Sequence, residues 1–169
     1  SLANEAANND DVISISADRL YNLAKSYDKN ERILAAKLLR SLINDANIFV
    51  LLELLRDPND EVRHQAIITS RKVNRNETWT LLLELLNNKT FTYEAASALV
   101  TAGKEALPVL DNSFYRSGQT QGVMLKIINI MDEIGGQEAH NLLWQKVDFP
   151  DRKIVRQILL SFGKKKHTA

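Results

Sequence analysis

Apolar positions recur along this chain on two scales. Over a dozen residues they follow helical spacing: Val62, Ala66, Thr69, Ser70 and Val73 fall on one stripe, which should face a core. Over longer distances the pattern copies itself. Leu-Leu-Glu-Leu-Leu stands at 51–55 and again at 82–86, 31 residues on. Arg32, Ala35 and Leu39 are answered by Arg63, Ala66 and Ser70, and Val155-Arg156 lies 93 residues, three periods, after Val62-Arg63. At this period the chain reads as five helix pairs. First helices are expected near 14–26, 46–56, 76–87, 104–115 and 137–147, and second helices near 29–43, 59–73, 90–102, 120–134 and 151–162.

The punctuation agrees with this division. Asp57-Pro58-Asn59-Asp60 and Phe149-Pro150-Asp151 combine a helix-stopping proline with side chains that can accept the orphan N–H groups of the next helix. Gly103, Gly135 and Gly163 each follow an apolar run and are expected to close a second helix in the left-handed conformation. Asp111 to Gly122 is polar and glycine-bearing, which predicts a longer, mobile loop. First helices are rich in Leu, while second helices carry Ala35, Ala36, Ala66, Ala95 and Ala96 where helices must approach closely. A pair with apolar residues on several sides cannot bury them alone, so neighbouring pairs should stack around a shared core.

With that stripe turned inward, Asp60, His64, Ile68, Arg71 and Arg75 point outward, as do Lys29, Ile33, Lys37, Arg40 and Asn44 one period earlier. The first two repeats would therefore show a mostly basic outer stripe. In repeats three and four the outward positions are read as Glu94, Ala98, Thr101, Lys126, Asn129 and Glu133, and positive charge returns only at Lys153 and Lys164-Lys165-Lys166. Trp79 and Trp144 register to first helices and should point into the core or the convex side, and core packing is expected for them and for Tyr21, Tyr27 and Tyr115, because an aromatic ring buries a large apolar area.

Composition narrows the chemistry. The 169 residues include no cysteine, which removes disulfides, thiolate metal sites and cysteine nucleophiles. His64, His140 and His167 are too far apart to share a helix face as metal ligands do. A net charge of +1 provides no global field toward nucleic acid or an anionic membrane, and no apolar run is long enough to span a bilayer. Nucleophile-elbow, phosphate-loop, zincin and dinucleotide motifs are all missing. The expectation is a non-enzyme without cofactor or metal. The chain starts at Ser1, which suggests a piece of a longer protein, cytoplasmic or attached to a membrane elsewhere. Its expected divisions are a disordered segment 1–12, a repeat domain 13–163 and a basic tail 164–169.

The residues 51–66, Leu-Leu-Glu-Leu-Leu-Arg-Asp-Pro-Asn-Asp-Glu-Val-Arg-His-Gln-Ala, resemble a HEAT repeat of the short bacterial, PBS-lyase type. Gly103 to Leu110, with its Pro108, and Gly136-Gln137-Glu138-Ala139 are similar to the start of that family's first helix. The resemblance implies an all-α, right-handed α-α superhelix (a HEAT-like solenoid) of about five helical hairpins. It further implies that second helices line a concave, binding side, and that Asp57, Arg63, Arg156 and Arg32 belong to a polar ladder between repeats. Tyr93-Glu94 stands where Val-Arg is usual. Enzymes of this architecture use repeated His-Glu pairs or an aromatic and acidic basic cleft, and no His here precedes Glu. The expected function is a protein-interaction scaffold that takes an acidic peptide or another protein on Lys29, Lys37, Arg40, His64, Ile68, Arg71 and Arg75. A nucleic-acid-binding module is the alternative.

Overall fold

The computed structural model describes residues 17–167, so the expected segment 1–12 lies outside the described residues. Those residues form five helix pairs, with no strand among them. Helix α1 covers 17–24 and precedes α2 (Lys29–Leu42); α3 (Ile48–Leu54) precedes α4 (Asp60–Val73). Next come α5 (Trp79–Leu85) with α6 (Thr92–Ala102), α7 (Leu107–Phe114) with α8 (Gln121–Ile134), and α9 (Gly136–Trp144) with α10 (Arg152–His167). The chain divides into two compact units, Ser1–Val73 and Asn74–Ala169. The architecture is that of an all-α solenoid, built in each unit from stacked helix pairs.

Side-chain caps start the second helices. Asp28 accepts the Asn30 N–H, Asn59 those of Glu61 and Val62, Asn88 those of Thr90 and Phe91, Thr120 that of Val123, and Asp151 those of Lys153 and Ile154. Counted from cap to cap, the helices recur after 31, 29, 32 and 31 residues, not at a constant 31. Positions three, seven and ten beyond each cap are then buried throughout the last four second helices: Val62, Ala66, Thr69; Phe91, Ala95, Ala98; Val123, Ile127, Ile130; Ile154, Ile158, Ser161. This register corrects two expectations. Ala98 points inward, and Ile154 rather than Val155 takes the place of Val62, so Arg156 corresponds to His64 and not to Arg63.

Gly103 at φ 74° and Gly135 at φ 68° close α6 and α8 at positive φ, and Asn74 at φ 49° follows the end of α4. Gly163 does not close its helix. It sits inside α10, which runs on to His167. The loop expected over 111–122 is also shorter than its composition suggested. Asp111 to Phe114 continue α7, and the connection left before α8 is tied by Gln119, whose Nε2 donates to the Ser113 carbonyl at 2.8 Å.

In the first unit α2 lies against α4, and alanines make the close approach possible: Ala35, Ala36 and Ala66 are fully buried. At the crossing the Thr69 hydroxyl donates to the Ala36 carbonyl at 2.7 Å. Leu39, Leu51, Leu54 and Leu55 are buried in the same unit. Thr69→Val keeps the shape and deletes the hydroxyl, while the Ala36 carbonyl retains its helical partner. The expected loss is about 1 kcal/mol, measured by denaturant unfolding.

In the second unit α8 packs against both α6 and α10. Lys126 Nζ donates to the Leu86 carbonyl at 2.9 Å, Gln157 to Asn129 at 2.7 Å, and the Ser161 hydroxyl to Asp132 at 2.6 Å. The aromatic residues depart from expectation. Tyr27 is fully exposed, Trp144 is 59% exposed, Tyr21 and Tyr115 are about half exposed, and Trp79 is half-buried. Tyr27 stands in the turn before α2, where its carbonyl faces inward to Arg32 and its ring is left outside. Trp144 lies on the outer side of α9 against Phe162, ring centroids 5.5 Å apart.

Candidate functional site

The outward flank of the first unit is built by α2 and α4. Lys37, Arg40, His64, Ile68 and Arg71 are exposed on it, and Ile33 is half-buried between them. Because α4 repeats α2 in register, Ile33, Lys37 and Arg40 correspond to His64, Ile68 and Arg71. Two other candidates are engaged elsewhere. Lys29 Nζ donates to Glu61 at 2.8 Å across the pair of helices, and Arg75, which belongs to the second unit, pairs with Glu77 at 3.2 Å. The flank thus combines cations with branched apolar side chains, a composition suited to an amphipathic partner rather than to bare phosphate.

Beneath this flank runs a polar rung. The Arg32 guanidinium spans both oxygens of Asp57, at 2.8 and 3.2 Å, and donates to the carbonyls of Ser26 and Tyr27 at 3.0 and 3.1 Å. Asp57 is 8% exposed and also accepts the Asn59 N–H, so one carboxylate joins the turn of the second pair to α2 of the first. Arg63 lies half-buried at the corresponding place in α4. In the second unit Gln121, at the position of Lys29, donates from its Nε2 to Asp151 at 2.7 Å. That hydrogen bond, helped by the backbone N–H groups of Ile154 and Lys153, holds the Asp151 carboxyl below its ordinary range. Arg156 is exposed on α10.

The residue that sequence reasoning missed is Lys146, 1% exposed. Its ammonium donates to the Asp111 carboxylate and to the Leu142 carbonyl, and lies 5.2 and 5.0 Å from the ring centroids of Phe114 and Tyr115. Burial raises the Tyr115 phenol above its ordinary range, and Asp111 and Asp148 add to the shift. A lysine so enclosed and fully engaged ties α9 to α7. It lacks the access a nucleophile needs.

Among the described residues no group of His, Cys, Asp and Glu could hold a metal ion, and no helix is long and apolar enough to cross a membrane. The family model for HEAT repeats matches residues 17–103, which include both helix pairs of the first unit and the α5/α6 pair of the second. Such repeats generally serve as protein-interaction scaffolds and are typically non-catalytic. No curated protein matches the chain. With just over half of its 169 residues covered by that match, and with capped, stacked helix pairs on both sides of the match's limit, the chain belongs to the HEAT-repeat family.

Proposed function

We propose that this chain is a non-catalytic scaffold domain that binds an acidic, partly apolar peptide segment of another protein along the outward flank of α2 and α4. The observation that supports this reading most is the side-by-side placement of Lys37 and Arg40 with Arg71, around Ile33 and Ile68. In the family's architecture second helices form the binding side, and α2 and α4 together carry surplus positive charge. A solvated peptide carboxylate gains little from one exposed cation, but several cations flanking buried apolar contacts set orientation and raise the association rate.

The test uses acidic amphipathic peptides and a single-stranded oligonucleotide of equal charge, each followed by fluorescence anisotropy on the intact chain. Arg40→Glu with Arg71→Glu is expected to weaken peptide binding by at least about tenfold, mainly through the association rate. Peptide affinity should fall only modestly between about 50 and 200 mM salt, whereas phosphate binding would fall steeply. Unchanged peptide affinity in the double variant would remove the basic flank from the binding site. Preference for the oligonucleotide with a steep salt slope would replace this reading with nucleic-acid recognition.

A further inference from the structure

Within each unit, neighbouring second helices meet flank to flank. One flank enters against the preceding second helix. In α4 it carries Val62, Thr69 and Val73, and Thr69 touches Ala36 of α2. The other flank receives the following helix. In α2 it carries Ala36, and in α8 it carries Ile128, Asn129 and Asp132, of which Asn129 and Asp132 bond to Gln157 and Ser161 of α10. Position eight beyond the cap belongs to the receiving flank: Ala36 and Ile128 there are fully buried.

Helices α2 and α10 each display one of these flanks to solvent. On α2 the entering flank shows Leu34, Leu38 and Leu42, 44%, 37% and 38% exposed, at the positions where α4 has Gln65, Thr69 and Val73. On α10 the receiving flank shows Leu159 and Leu160, 53% and 49% exposed, and these with Val155 and Phe149 line a groove of about 820 Å³. Leu159 holds position eight beyond its cap. A polar device accompanies two of these contacts, α2 with α4 and α8 with α10. The first residue after the cap of the receiving helix reaches an acid at the start of the entering one: Lys29 to Glu61, and Gln121 to Asp151. On α10 that residue is Arg152, exposed at the rim of the groove, and the start of α2 presents Asp28 and Glu31, both exposed.

From this matching of seat to occupant we infer that the chain associates head to tail with a second copy of itself, α2 of one copy lying on α10 of the next. Leu34, Leu38 and Leu42 fill the groove beside Leu159, and Arg152 faces Asp28 and Glu31. The contact joins two different patches, so an open assembly keeps one patch of each kind free and can grow. It is independent of the basic flank of α2 and α4.

Sedimentation of the intact chain over a range of concentrations tests it. Wild type is expected to show mass increasing with concentration. Leu38→Glu and Leu159→Glu, each at an exposed site and checked for helical circular dichroism, should each associate at least about 30-fold more weakly, since a carboxylate would enter an apolar contact. An equimolar mixture of the two should recover dimers and nothing larger, because each variant keeps the patch the other has lost. Arg152→Glu should weaken association, and mixing it with Glu31→Arg should restore it. A wild type that stays monomeric overturns the inference. So does either leucine variant that still dimerises alone, or a mixture that remains monomeric.

Discussion

Lys146→Ala should cost the protein about 3–5 kcal/mol, the loss typical when one partner of a buried ion pair is removed and the other is left. Asp111, 25% exposed, would lose its ammonium partner, and a cavity would open beside Phe114 where the lysine stem had packed. Denaturant unfolding measures the effect. Lys146→Met combined with Asp111→Leu provides the counter-test: an apolar pair of similar volume removes both charges and should recover most of the loss. If the single variant costs less than about 1 kcal/mol, the ammonium is not enclosed as described.

Leu85→Asp should be at least as damaging. Leu85 is 5% exposed in α5, a short helix almost wholly enclosed, with Leu81, Leu82 and Leu83 also buried. The carboxylate would have to be buried beside these leucines or force α5 outward, at a cost of about 4 kcal/mol or more. Loss of soluble protein, or of the cooperative thermal transition followed by circular dichroism, is the expected readout. A melting temperature equal to wild type would show that the side chain faces solvent and that the inward stripe of α5 has been misplaced.

Much of the fold was legible because helix boundaries here are written in local chemistry. Asn59 before α4, Asp151 before α10 and the glycines after α6 and α8 act within a few residues of where they stand in the chain. What stayed hidden depends on partners distant in sequence. Tyr27 and Trp144 are large and apolar enough for a core, yet a turn and an outer helix surface leave them in water. Lys146 was readable in principle. Aligning Pro150 with Pro58, as the caps require, puts Lys146 in the slot of buried Leu54, a charged residue at an apolar position; the 93-residue alignment on Val155-Arg156 slips by one and conceals it. The polar stretch after Asp111 looked like loop because its partner, Lys146, is 35 residues away. For the candidate binding flank, outward direction followed from helical spacing, but the pairing of Lys29 with Glu61 and of Arg75 with Glu77 required three-dimensional neighbours.

The division at Val73 has a spectroscopic consequence. Both tryptophans, Trp79 and Trp144, belong to the second unit, while the first holds only tyrosines as its other strong near-ultraviolet absorbers. Trp144, half in water against Phe162, reports on the seating of α9 and α10, and Trp79 on the start of α5. Indole emission therefore follows the second unit alone, whereas far-ultraviolet ellipticity sums the helices of both, so the two probes superimpose only when the units melt as one cooperative block.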